Sequence, residues 1–131
     1  MHKILEEEVK ELIKESWLEQ SKGDSKLALE KAIEAVRNEQ ALVKMSGKEY
    51  RINVDLNFNV LFNLAHQFEN NKMYLEALNT YRVMVKNRHC NNTGLLRLSK
   101  ANIYVKQKNY PKAIKLYCKE LDRTPGCHKE R

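Results

Sequence analysis

The chain has 131 residues, of which 24 are basic and 17 acidic, and its formal net charge is +7 at pH 7. It is long enough for one domain with a hydrophobic core and too short for two typical domains. No apolar run is long enough to span a membrane, the N-terminus is acidic and amphipathic unlike a signal peptide, and the three cysteines form no C-x-x-C pair. We therefore expect a chain that is neither membrane-spanning nor secreted and that has no structural disulfide, while the positive charge by itself identifies no partner.

The low content of Gly and Pro, 4 and 2 residues, favours helix along the whole chain. In chain order we predict helices at residues 3–21, 25–44, 55–71, 74–88, 94–108 and 111–123. Residues suited to helix N-termini stand near these starts, namely Asp24-Ser25, Asp55, Asn92-Thr93 and Pro111. Residues 44–54, which include Ser46-Gly47, are predicted as a long loop or insertion.

The C-terminal two thirds of the chain contains an internal repeat. The matching residues lie 36 positions apart and are Ala65 and Ala101, Ala77 and Ala113, and Tyr81 and Tyr117. The alanines are small where two antiparallel helices approach closely, and aromatic side chains fill the space beside them. This pattern is typical of the tetratricopeptide repeat.

A weaker first repeat precedes these two. It is marked by Trp17, Gly23, Asp24, Ala28, Ala32 and Ala35. Ala28 and Ala77 are 49 positions apart, which implies an insertion. We therefore predict an all-α fold, a right-handed superhelical stack of about three tetratricopeptide helical hairpins. Residues 1–131 would form one domain with repeats at approximately 8–45, 58–91 and 94–127.

The first helix of each hairpin in such an array lines a concave groove. The residues predicted to face it are Ile13, Trp17, Phe62, His66, Leu98, Asn102, Val105 and Lys106, with Glu69 near them. This mostly apolar surface suits the apolar face of a partner helix or an extended segment, which His66 and Asn102 could hold by its backbone amides. Trp17 is the strongest hot-spot candidate. Alternatively, Trp17 and Phe62 pack against the insertion or a neighbouring repeat.

The sequence gives little support to an enzyme or a metal protein. The candidate soft ligands are His89, Cys90, Cys118, Cys127 and His128, and their spacing matches no structural zinc pattern. There is no catalytic Cys, His and carboxylate set and no Gly-rich phosphate loop. We predict no catalytic residues, no cofactor and no metal.

A basic stretch raises the possibility of nucleic-acid binding. It comprises Arg82, Lys86, Arg88, Lys106, Lys108, Lys112 and Lys115, with Tyr104 and Tyr110 nearby. These tyrosines belong to the repeat pattern, however, so we interpret the stretch as a surface facing solvent or an acidic partner. We predict no nucleic-acid partner.

The sequence resembles one family beyond the generic repeat: the polaris family, the tetratricopeptide subunit of the intraflagellar transport B complex. The matching segments are Asp55–Ala65, Glu76–Tyr81 and Ala101–Lys115, and weaker similarity extends over nearly the whole chain, including Gly23-Asp24 and His128–Glu130. They include surface residues such as Asn79 and Gln107, which repeat geometry does not dictate. The resemblance implies a non-enzymatic scaffold for cilium assembly, located in the cytoplasm, the cilium and the basal body, with other complex-B subunits as partners.

A second interpretation is a general tetratricopeptide adaptor. One subfamily of these domains binds acidic chaperone tails through cations and asparagines that face the groove. Asn102 and Lys106 fit that role, but Ile13, Phe62 and Leu98 occupy positions where cations are needed.

Two residues depart from the repeat pattern. Ala101 replaces a usual Gly, which should have a mild effect. Glu120 replaces a small residue on the packing face and would cost several kcal/mol unless it is paired or turned to solvent. We therefore expect the last helix to end exposed or to be shifted.

Arrays of this family continue well beyond such a length, so we expect a fragment of a longer array. The outer face of the last helix carries Ile114, Leu116 and Leu121, and self-association through this face is a possible consequence.

Overall fold

The structure is a computed structural model that describes residues 2–46, 54–86 and 93–123. In this part of the chain it consists of α-helices joined by turns, with no strand. The helices are α1 (His2–Ser21), α2 (Ser25–Ser46), α3 (Val54–Asn70), α4 (Tyr74–Lys86), α5 (Thr93–Lys106) and α6 (Tyr110–Arg123). The predicted all-α fold class is confirmed.

Some features predicted from the sequence fall outside the described residues. Helix α2 continues to Ser46, slightly beyond its predicted end, and α3 begins at Val54. The rest of the predicted loop, residues 47–53, lies outside the described part. The same holds for the candidate metal ligands His89, Cys90, Cys127 and His128, and for Asn92 of the predicted cap of α5.

The chain divides into two compact units, Met1–Thr80 and Tyr81–Arg131, called here the first and the second unit. Each is described by itself. The single domain and the superhelical stack over residues 1–131 stay predictions.

The first unit is built around the α1–α2 hairpin. Ala28, Ala32 and Ala35 of α2 are fully buried, as expected for small residues at a close helix crossing. Helix α3 packs on this hairpin. One core cluster contains the buried residues Val9, Leu12, Ala35, Leu56 and Val60, with Ile13 and Val36 partly buried against it. The weak first repeat therefore packs as its alanines predict.

The turns after α1, α3 and α5 share one backbone geometry. Gly23, Lys72 and Lys108 have positive φ angles of 88°, 61° and 62°. The amide of the next residue donates to a carbonyl five positions back, and the three N–O distances are 2.9, 2.9 and 2.8 Å for Asp24, Met73 and Asn109. This is the hydrogen bond of a Schellman helix end, repeated at the spacings that the sequence repeat predicts.

Helix α2 begins with a side-chain cap. The backbone N–H of Leu27 donates to Asp24 Oδ1 at 3.0 Å, and the amide of Ala28 donates to the Asp24 carbonyl at the same distance. The predicted capping role of Asp24 is confirmed.

The second unit contains the α5–α6 hairpin and the last residues of α4. Its buried residues are Tyr81, Met84, Leu96, Ala101, Ile103, Tyr104 and Ala113. Ala101 and Ala113 are at most 1% exposed, so both alanines of the repeat pattern lie in the core. Glu120 of α6 lies 3.0 Å from Arg97 of α5. Its charge is therefore paired, and α6 continues to Arg123.

Candidate partner-binding surface

An aromatic row in the first unit includes two residues predicted to face a groove, Phe62 and His66, and a third, Trp17, lies beside it. Phe58, Phe62 and His66 are one turn apart on α3, with ring centroids separated by 5.4 Å for the first pair and 6.4 Å for the second. Trp17 of α1 lies beside this row, with its ring centroid 5.4 Å from that of His66. Two helices thus present a continuous aromatic surface.

This surface adjoins a cleft of about 460 Å³. The cleft is lined by Lys10, Ile13, Lys14, Trp17, Asp55, Leu56, Asn59, Phe62 and Asn63. Ile13, Trp17 and Phe62, which the sequence places in a groove, line it together. Trp17 remains 40% exposed, whereas Phe62 and His66 are half-buried. An exposed indole at the edge of an apolar cleft can still lose much water-accessible area on binding.

The cleft also has a buried amide that sequence reasoning missed. Asn63 is 1% exposed, and its Oδ1 accepts a hydrogen bond from Gln67 Nε2 at 3.1 Å. Gln67 Nε2 also donates to Gln20 Oε1 at 2.6 Å, which ties α3 to α1. Within the described part of the chain, Asn63 Nδ2 has no hydrogen-bond partner. The nitrogen itself is buried, so an acceptor from outside could reach it only if the side chains over it moved.

A sequence signal for this amide existed. Asn63 and Gln67 are four residues apart and flank Ala65, so they occupy the buried side of an otherwise apolar helix. A polar pair at such positions indicates either a satisfied internal network or a contact with a ligand.

The remaining predicted groove residues belong to α5 in the second unit. Leu98 and Val105 are 38% and 39% exposed, and Asn102 and Lys106 are also exposed. Asn102 Oδ1 accepts a hydrogen bond from the hydroxyl of Tyr117, so this oxygen is engaged within the α5–α6 hairpin. A continuous groove formed by all eight residues stays a prediction.

A second cavity in the first unit, of about 670 Å³, lies against α2 and α3. Glu39, which lines it, is only 5% exposed and accepts a hydrogen bond from Asn57 Nδ2 at 3.2 Å. Burial raises the pKa of this carboxyl, and the hydrogen bond from Asn57 partly opposes the rise. The cavity therefore contains a carboxylate whose negative charge is costly in the folded state.

The described residues give no geometric support to a metal centre. Among them, no group of three or more His, Cys, Asp or Glu side chains is placed to hold a metal ion. Cys118 is exposed with a free thiol. No described helix has the length and apolar character needed to cross a membrane.

Comparison with known proteins shows a similarity that covers nearly the whole chain. No family model matches the sequence. The chain is 51% identical to the intraflagellar transport protein 88 homolog of Homo sapiens over an alignment of 131 residues, which covers 98% of this chain. It spans only 16% of the length of that relative. The resemblance to the polaris family is confirmed for a segment of that protein.

Proposed function

We propose that this chain, as a relative of a segment of intraflagellar transport protein 88, is part of a non-enzymatic protein-binding scaffold in the intraflagellar transport B particle. It would act in cilium assembly, in the cytoplasm, at the basal body and in the cilium. The 51% identity over nearly the whole chain carries this proposal. Other complex-B subunits are the proposed partners.

The α1–α3 cleft is the proposed contact surface. Trp17 and Phe62 offer adjacent apolar rings, and such buried aromatic anchors each contribute about 2 kcal/mol or more at protein interfaces. If the side chains over it move on binding, the buried Asn63 Nδ2 would donate to a backbone carbonyl of the partner and fix the position of the bound segment. The apolar face of a helix or an extended segment fits these features.

A general adaptor for acidic chaperone tails is the second candidate. Lys10 and Lys14 line the cleft, and Lys106 is exposed on α5. Ile13, Phe62 and Leu98, however, occupy positions where that mode of binding requires cations or polar donors. The aromatic cleft favours an apolar partner segment.

The test is affinity capture from lysate of ciliated cells, with the captured proteins identified by mass spectrometry. The bait is this chain, compared with a Trp17→Ala, Phe62→Ala double variant. The control is a Leu18→Ala, Leu75→Ala double variant, because these side chains are 52% and 62% exposed and neither lines the cleft. Helicity and melting temperature of all three proteins are measured first.

We expect the wild type and the control variant to capture complex-B subunits, and we expect the cleft variant to lose this capture. Capture of complex-B subunits by all three proteins would support the scaffold function but would show that the α1–α3 cleft is not the contact surface. Capture of chaperones through their acidic tails would favour the adaptor. If no complex-B subunit were captured, the proposed function of this segment would be wrong.

A further inference from the structure

Charge is distributed unevenly between the two units. Residues 1–80 contain 11 basic and 14 acidic side chains, whereas residues 81–131 contain 13 basic and 3 acidic ones. The formal charges of the two segments are therefore −3 and +10, so the net charge of the whole chain understates the basicity of the second unit. A unit with this charge attracts anions over distances of about 8–10 Å at ordinary salt.

The second unit gathers several cations around one lysine. Arg82 of α4, Arg97 and Lys100 of α5, and Lys119 of α6 are close enough to interact electrostatically. Lys100 is half-buried. Burial is the largest cause that lowers the pKa of its ammonium group, and repulsion by the three cations lowers it further. All three charged groups that shift this pKa have the same sign as Lys100, so their mutual repulsion opposes the folded state. We call these four residues the Lys100 cluster.

Two members of this cluster have polar partners within the second unit. The carboxylate of Glu120 forms an ion pair with Arg97. The hydroxyl of Tyr104 accepts a hydrogen bond from Arg82 Nη2 at 3.3 Å, and Lys112 Nζ lies 5.5 Å from the centroid of the same ring. A carboxylate that reached Lys100 would gain a charge-assisted hydrogen bond and reduce the repulsion among the cations.

The same contacts favour a protein ligand over a nucleic acid. Sites for single-stranded nucleic acid combine cations with exposed aromatic rings on which bases stack. Tyr104, whose hydroxyl contacts Arg82 of the cluster, is only 9% exposed, and Lys112 lies over its ring. Its ring is therefore not available as a stacking platform.

We infer that the Lys100 cluster binds an acidic segment of a partner protein, rich in aspartate and glutamate. This surface differs from the proposed groove positions on the same helix. Arg97, Lys100 and Tyr104 follow one another at three- and four-residue steps, whereas Leu98, Asn102 and Val105 occupy another face of α5. The inference does not depend on the α1–α3 cleft, because every residue of the cluster belongs to the second unit.

The test measures binding of a fluorescent peptide of alternating glutamate and serine to the whole chain by anisotropy. The same peptide with glutamine in place of glutamate is the ligand control. The Lys100→Met variant keeps the apolar stem and removes the charge. The Lys108→Gln variant removes one charge from the same unit, at an exposed position in the turn after α5. We expect roughly tenfold weaker binding for Lys100→Met, as for loss of one charge-assisted hydrogen bond, and less than twofold for Lys108→Gln.

A second readout follows the Lys100 ammonium by NMR of lysine-labelled protein. The pKa of Lys100 should rise when the acidic peptide binds, because a carboxylate stabilises the charged form. Binding that is equal for the two peptides, or more sensitive to Lys108→Gln than to Lys100→Met, would overturn the inference. Preference for a single-stranded oligonucleotide or for phosphatidylserine vesicles over the acidic peptide would also overturn it. Failure to capture complex-B subunits with the wild-type bait would leave this result unaffected.

Discussion

The carboxylate of Glu120 accepts a hydrogen bond from Arg97 Nη1 at 3.0 Å and connects α6 to α5. Glu120 stands where the repeat pattern has a small residue, and its side chain fits because Gly94 lies against it. A Cβ built on Gly94 would collide with Glu120 Oε2. The side chains of Arg97 and Glu120 are 15% and 23% exposed, so this pair is shielded more than a surface ion pair. Gly94, Arg97 and Glu120 together compensate for a carboxylate at a packing position.

The effect of Gly94→Ala should depend on Glu120. In the wild type we expect Gly94→Ala to reduce the free energy of unfolding by about 1 kcal/mol, since the methyl group displaces a paired carboxylate. In a Glu120→Ala background the collision is absent, and alanine should stabilise helix α5 by about 0.5 kcal/mol through its better helix propensity. Urea unfolding of the four proteins checks this. The same sign in both backgrounds would show that the contact has no energetic role.

The positive φ angles of Lys72 and Lys108 predict stabilising substitutions. The Cβ atom of an L-amino acid is strained in this region, whereas Gly has no Cβ, and both lysines are exposed at the ends of helices. We expect Lys72→Gly and Lys108→Gly each to raise the free energy of unfolding by about 0.5–1 kcal/mol. Lys115→Gly is the matched control, because Lys115 is exposed within α6. This variant should lower the free energy of unfolding by about 1 kcal/mol. Destabilisation by Lys72→Gly or Lys108→Gly would show that the lysine side chain contributes more than the strain costs.

The repeat pattern predicts the helices well because one physical requirement, close packing of small residues, recurs at a fixed spacing. Ala65, Ala77, Ala101 and Ala113 are all buried where this requirement places them. The pairing of Glu120 with Arg97 was not predicted, because it depends on which side chains meet across two helices. The repeat spacing constrains backbone positions and leaves such pairings open.

In the candidate cleft, too, positions along the helices could be predicted from the sequence, whereas side-chain contacts could not. Ile13, Trp17 and Phe62 could be predicted because helical spacing places them on neighbouring faces. The amide of Asn63 was missed, since its significance depends on the orientation imposed by Gln67 and Gln20. The cations around Lys100 come from three helices. The sequence therefore predicts a basic stretch, but it does not show which of these cations lie close to Lys100.

Glu39 should make stability depend on pH. Burial raises the folded-state pKa of this carboxyl above its unfolded value, so the folded protein prefers the protonated form. The stabilisation is complete below the unfolded-state pKa and is lost as the pH rises through the folded-state pKa. We expect Glu39→Gln, which can still accept the hydrogen bond from Asn57, to be more stable than the wild type at neutral pH.

The difference between Glu39→Gln and the wild type should shrink as the pH falls below the folded-state pKa of Glu39. Denaturant unfolding at a series of pH values measures it. Glu30→Gln serves as the control, because it makes the same chemical change at an exposed position on the same helix. A Glu39→Gln protein that is less stable at neutral pH would mean that the ionised carboxylate is paired more strongly than Asn57 alone can account for.

Substitutions of Asn63 test whether its buried amide contributes to partner binding or to the stability of the fold. Asn63→Leu conserves much of the side-chain volume and removes the Nδ2 donor that has no partner among the described residues. It also removes one acceptor of Gln67 Nε2, which keeps its hydrogen bond to Gln20. These effects oppose each other, so the free energy of unfolding should change by less than about 1 kcal/mol. Capture of complex-B subunits should nevertheless fall, because the partner carbonyl loses its donor.

Asn63→Ala is the companion variant, since it removes the same donor and also creates a cavity. It should lower the free energy of unfolding by about 1–2 kcal/mol and weaken capture to the same extent as Asn63→Leu. Equal capture by the wild type and Asn63→Leu would show that the amide contacts no partner. Strong destabilisation by Asn63→Leu would instead assign the amide to the fold, through the hydrogen bond that orients Gln67. Only the combination of a stable fold and reduced capture supports Asn63 as a donor to the bound segment.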